Sequence, residues 1–127
     1  MAKMSYREAL TETLHQEMAN DENVIVMGED IGGGGEREDF QDAWGGPMRL
    51  TKGLVNDFGR ERIRDTPISE TGFMGAGVGA AATGLRPVID LMYVSFFGVC
   101  ADQILNNAAK MHYMFGGKVT QTNISEL

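Results

Sequence analysis

Residues 62–92 read RIRDTPISETGFMGAGVGAAATGLRPVIDLM, and the fold class follows from this stretch. Arg62-Ile63-Arg64 suits a short strand. Pro67 disfavours helix at Thr66, so the chain must turn there. Gly72 to Thr83 is small and apolar throughout, which fits a buried helix with close neighbours. Gly84 is a natural stop for it. Pro87-Val88-Ile89-Asp90-Leu91-Met92 then reads as a second strand, apolar enough to be covered on both faces. A strand, a helix and a strand in succession imply a parallel pair joined by a crossover.

The same alternation extends outward. Ser5 and Glu8 have capping-box spacing, and Ala9, Leu10, Leu14 and Met18 form an inward stripe at helical intervals up to Asn20-Asp21. Val24-Ile25-Val26-Met27 is a short buried strand. A polar, Gly-rich segment runs from Ile31 to about Arg49, and a loop of that length in a compact domain is usually functional. Thr51 to Phe58 reads as a helix stopped by Gly59. Gly98 to Met114 reads as another, ended by Gly116-Gly117, and Lys118 to Ile124 as a last strand. The expected architecture is α/β, a mainly parallel sheet flanked by helices in three layers.

Composition narrows the function. The 127 residues fit one modest domain, with 43% apolar and 23% charged residues. A net charge of -7 without a Lys/Arg cluster in the sequence argues against a nucleic-acid binder. No apolar run approaches the roughly 18 residues of a membrane span. The N-terminus lacks a signal-peptide pattern, so a cytoplasmic setting is expected. The single cysteine, Cys100, reads as a small core residue.

Candidate chemistry centres on Glu70. It lies between a short strand and a helix, at the mouth of the sheet where open α/β folds bind ligands. The helix dipole there favours a carboxylate. On spacing alone, an ordinary first-turn helix residue is the favoured account of Glu70. Gly32 to Gly35 could offer amides to a phosphate, but the loop lacks the residues of a P-loop, and Glu36, Glu38, Asp39 and Asp42 follow it. A plain surface loop is the simpler account. These acids, with Glu29 and Asp30, do not follow calcium-loop spacing, and His15 and His112 are unpaired with other ligands, so no metal site is expected.

The segment 65–92, with Asp102-Gln103-Ile104, Asn107 to Lys110, Tyr113-Met114, Gly116-Gly117, Gly28 to Ile31 and Thr51 to Leu54, resembles the β subunit of the thiamine-diphosphate-dependent 2-oxo acid and acetoin dehydrogenases. Asp42 to Gly46, Gly98-Val99-Cys100 and Lys110 to Phe115 lean toward the acetoin branch. The resemblance implies that residues 1–127 form part of a transketolase-like pyrimidine-binding domain, without the C-terminal domain of that subunit. It also implies a catalytic role for Glu70. In the family a glutamate hydrogen-bonds a pyrimidine nitrogen of thiamine diphosphate and promotes the tautomer that removes the thiazolium proton. Phe96 matches the aromatic position that packs on the pyrimidine, and Ile68 sits beside Glu70 as a further cofactor contact. Gly72, Gly75 and Gly79 match a helix that packs tightly at a subunit interface.

The implied enzyme cleaves acetoin, or a 2-oxo acid such as pyruvate, and passes the acyl group to a lipoyl acceptor. Its implied partners are an α subunit, which anchors the diphosphate and magnesium, a second β subunit and a lipoyl-bearing acyltransferase. The isolated chain is expected to be inactive. Beyond Gly117 the sequence departs from the family pattern, which keeps open a non-catalytic fragment or interaction module. A small nucleotide-binding domain using Gly32 to Gly35 is the third possibility.

Overall fold

The computed structural model describes residues 3–33 and 45–119, and the backbone of 125–126. Helix α1 (Tyr6–Asn20) starts at Ser5, where the capping box forms in both directions. Glu8 N–H donates to Ser5 Oγ at 3.2 Å, and Ser5 N–H donates to Glu8 Oε2 at 2.8 Å. The buried stripe is narrower than the sequence suggests. Leu14 and Met18 are in the core, whereas Leu10 is exposed.

Four parallel strands follow in the sheet order β2-β1-β3-β4: β1 (Val24–Gly28), β2 (Ile63–Asp65), β3 (Arg86–Asp90) and β4 (Ser125–Glu126). Of the last strand expected at 118–124, Lys118 and Val119 are outside any strand and residues 120–124 lie outside the described part. Strand β1 is buried along its whole length because it has cover on both faces. On one side Val24 and Val26 meet Leu14 and Met18 of α1, and Leu54 and Val55 of α2 (Leu54–Phe58). On the other, Ile25 and Met27 meet Phe73 and Met74 of α3 (Glu70–Ala82), with Cys100 of α4 (Phe97–Asp102). Arg62 ties the edges together. Its guanidinium donates to the carbonyls of Met18 and Asp21 at the end of α1, both at 2.8 Å, and to Val24 O.

The helix expected over 98–114 is not continuous. Val94–Phe96 forms a 3-10 turn before α4, Gln103–Ala108 winds as π-helix, and α5 (Met111–Met114) comes after a break. The cause is local. Gln103 packs against Gly75 of α3 and accepts from Asn107 Nδ2 at 3.0 Å. Ala109 N–H reaches back five residues to Ile104 O at 2.9 Å. Such π turns interrupt α-helices at sites under special constraint.

Helix α3 is where glycine matters most. A Cβ on Gly77 would lie 2.7 Å from Ile89 Cδ1 and 3.2 Å from its Cγ1, so the helix presses directly on β3. At Gly79, on the outer face, a Cβ would meet nothing within 4 Å. The two positions should respond with opposite signs. Gly77→Leu is expected to lower stability by about 1–3 kcal/mol through overpacking. Gly79→Ala should raise it by about 0.5–1 kcal/mol by restricting the unfolded backbone. Denaturant unfolding of both variants checks this; the same sign at both positions contradicts the packing described.

Candidate functional site

The carboxyl ends of three strands finish level, because Gly28 of β1 is in register with Asp65 of β2 and Asp90 of β3. Each chain must leave this edge sharply. Asp30 beyond β1 and Met92 beyond β3 adopt φ of 56° and 62°, a left-handed conformation that carries strain in residues other than glycine. Asp90 Oδ1 steadies the second turn by accepting from Met92 N–H at 2.9 Å. At the exit of β2, Thr66 N–H donates to Gly28 O at 3.0 Å. Five residues after Asp65, Glu70 opens α3.

Glu70 is half-buried. The preceding Ser69 gives α3 no side-chain cap; its hydroxyl donates instead to Pro67 O at 3.2 Å. A carboxylate beside an uncapped helix start is favoured electrostatically. Thr71 Oγ1 donates to Val99 O at 2.7 Å, which fastens the first turn of α3 to α4. This bond brings the segment carrying Phe96 alongside Glu70. Phe96 is half-buried, with its ring edge-on to Tyr93 at 5.7 Å between centroids. Ile68 lies in the turn before Glu70 and is 84% exposed. The structure therefore joins the Glu70 and Phe96 segments directly and leaves Ile68 facing solvent at the same end of the sheet.

Sequence reasoning passed over Glu29 as a site residue. It directly follows β1, is 7% exposed, and its Oε1 has no hydrogen-bond partner among the described residues. It lies in the turn two residues beyond Met27, within reach of the charge on Glu70 at the start of α3. Burial pushes its carboxyl pKa up, and the negative charges of Glu70, Asp30 and Asp90 push it further. The Thr66 hydroxyl oxygen is a second buried polar atom without a partner among the described residues. Asp90 is buried too. Burial raises its pKa, while the hydrogen bond from Met92 N–H opposes the shift. The usable signal in the sequence was the acidic pair Glu29-Asp30 directly after an apolar strand.

This edge can hold and exchange protons, since neighbouring carboxyl groups removed from water disfavour being charged together. The glycine loop has a different role. Gly32 N–H donates to Asp65 Oδ1 at 2.7 Å, while Arg60 Nη1 donates to Asp65 Oδ2 at 3.3 Å. The Gly32 amide is thus committed to a carboxylate. Gly34, Gly35, Glu36, Glu38, Asp39 and Asp42 lie outside the described residues. Among the described residues, no three His, Cys, Asp or Glu side chains are grouped to hold a metal ion. No helix among them is long and apolar enough to cross a membrane.

Comparison with known proteins places this geometry. The family model for the transketolase pyrimidine binding domain matches residues 2–125. The chain is 52% identical over 117 residues to the acetoin:2,6-dichlorophenolindophenol oxidoreductase subunit beta of Bacillus subtilis, covering 91% of this chain and 34% of that protein. To the subunit of the same name from Cupriavidus necator it is 52% identical over 116 residues, with 91% and 34% covered. To the pyruvate dehydrogenase E1 component subunit beta of Rhizobium meliloti it is 45% identical over 119 residues, with 94% and 24% covered. The chain spans a quarter to a third of the length of these relatives.

The raised pKa of Glu29 has a consequence for stability. The folded chain binds this proton more tightly than the unfolded chain does. Stability from this group is therefore lost as pH rises from the ordinary glutamate range through the raised folded value. Glu29→Gln keeps the shape without the charge. It should gain stability over the parent chain, and gain more at about pH 7.5 than at about pH 4.5. Urea unfolding at both values checks this; an equal gain at both, or a loss that grows with pH, contradicts a Glu29 carboxyl raised by burial.

Proposed function

The chain belongs to the transketolase pyrimidine-binding domain family, and from that premise we propose that it is the pyrimidine-holding part of a thiamine-diphosphate-dependent dehydrogenase β subunit. The observation that carries this proposal is Glu70, a half-buried carboxyl on the first turn of α3, where three parallel strands end. A ring nitrogen needs a partner able to exchange a proton with it, and Glu70 is such a partner. A flat ring needs an apolar wall, and Phe96 stands on the segment that Thr71 ties to α3. The unpartnered Glu29 Oε1 is a further acceptor in the same shielded region.

When bound, thiamine diphosphate supplies an acidic thiazolium carbon that attacks a substrate carbonyl once its proton is removed. Glu70 holds and passes the proton at the pyrimidine nitrogen. Ile68 borders the open side, where it would contact the cofactor. In this proposal the diphosphate and its magnesium are held by an α subunit.

The exposed apolar surface supports such a partner. Val94 is 93% and Tyr113 is 88% exposed, with Tyr93, Leu105, Met114 and Phe115 also open. Large apolar side chains left open on these segments suit an interface, here with the α subunit and a second β subunit. The outer glycine of α3, Gly79, leaves room for close approach. Acetoin is favoured over pyruvate as substrate, because identity is higher to the subunits whose names carry acetoin. The acyl fragment would pass to a lipoyl-bearing acyltransferase, in the cytoplasm. A non-catalytic interaction module, pairing through these exposed apolar side chains, is the second possibility.

The test is turnover of the chain mixed with a cognate α subunit, magnesium and thiamine diphosphate, with acetoin or pyruvate and a dye acceptor. Acetoin-dependent dye reduction is expected, with none from the chain alone. Glu70→Gln should lower it by about 100-fold or more. Full activity in Glu70→Gln contradicts the proton role, and partner binding without turnover supports the non-catalytic alternative.

A further inference from the structure

On the sheet face opposite α3, a groove of about 580 Å³ opens between the start of α1 and residues 49–52. Four of the chain's eleven Lys and Arg residues line it: Lys3, Arg7, Arg49 and Lys52. In a chain of net charge -7, this is a local reversal of sign. The groove also has two acids, and both are engaged. Glu8 accepts from Ser5 in the capping box, and Glu12 Oε1 accepts from Gln16 Nε2 at 2.7 Å. The four cations make no hydrogen bond or ion pair with any described residue. Elsewhere, Arg60, Arg62 and Arg86 are committed to Asp65, to backbone carbonyls and to Asp21. Arg49 is also held at φ 58°, strain that a residue at a binding site can retain.

We infer that this groove binds a small molecule bearing a phosphate or diphosphate group, at a site separate from Glu70. Four cations against the two carboxylates leave a local excess of positive charge, and a compact polyanion offsets it. The guanidinium forks of Arg7 and Arg49 suit phosphate oxygens, and Lys3 and Lys52 add point charges. The volume lies in the range of small-molecule pockets, which favours a compact ligand over an acidic protein segment. Met4 adds an apolar wall for an organic body, and the floor is fixed where Thr11 Oγ1 donates to Leu50 O at 2.8 Å. The inference does not depend on the cofactor role of Glu70.

The probe is inorganic pyrophosphate, titrated into the full chain at low ionic strength and followed by calorimetry and amide chemical shifts. Saturable binding is expected, with shifts centred on Lys3 to Thr11 and Arg49 to Lys52. Arg7→Gln/Lys52→Gln should weaken it by at least about 10-fold. Arg49→Gly, which relieves the backbone, should also weaken it. Glu70→Gln should leave it unchanged, which separates this site from the cofactor site. ADP binding more tightly than pyrophosphate identifies an organic phosphate; equal affinity identifies the inorganic group as sufficient. Non-saturable shifts, unaltered affinity in both groove variants, or tighter binding of a short polyglutamate peptide overturns the inference.

Discussion

With no Cβ on Gly77, Ile89 can fill the space that the helix leaves, and α3 settles directly against β3. That approach sets the depth of the site. Glu70 is the first residue of α3, so the distance between helix and sheet decides how far its carboxyl sits above the ends of the strands. The same approach covers Ile25 and Met27, and Glu29, beyond the end of β1, is buried as well. Thr71 then links α3 to α4, and Gln103 fits against Gly75. A bulkier residue at Gly77 would loosen all of these contacts together.

Stability and chemistry pull against each other at the sheet edge. A buried carboxyl without a partner costs free energy, and Glu29 is raised in pKa for that reason. Asp30 and Met92 add left-handed backbone beside it. Such features accumulate where a ligand, rather than the fold, supplies the compensating contacts. Elsewhere the described residues are locally consistent, with reciprocal capping at Ser5 and the Arg62 guanidinium donating to the carbonyls of Met18, Asp21 and Val24.

Much of this was legible in the sequence because its signals are local. The capping box, the apolar run 24–27, the Gly59 stop and the glycine-alanine helix each depend on near neighbours. The parallel order followed from their alternation. What escaped depends on contacts between distant residues. Nothing near Gly98 to Met114 announces a π turn, because its cause includes the packing of Gln103 on Gly75, 28 positions earlier in the chain. Gly72, Gly75 and Gly79 stood out as a spaced set, yet the glycine that meets the sheet is Gly77. Glu70 was visible through its setting and through the family resemblance. Glu29 was not, because an acidic residue after a strand is ordinary until its burial is known. The basic groove was hidden for the same reason, since its four cations come from two separated segments.

The account rests on two carboxyl groups that sense each other at the strand ends. A side-chain carboxyl NMR titration of the intact chain, repeated with Glu70→Gln, measures this directly. Glu29 should titrate above the ordinary glutamate range in the parent chain and shift downward when the Glu70 charge is removed, because that charge contributes to its elevation. An ordinary Glu29 titration, identical in the two proteins, would mean that the site is not assembled as described.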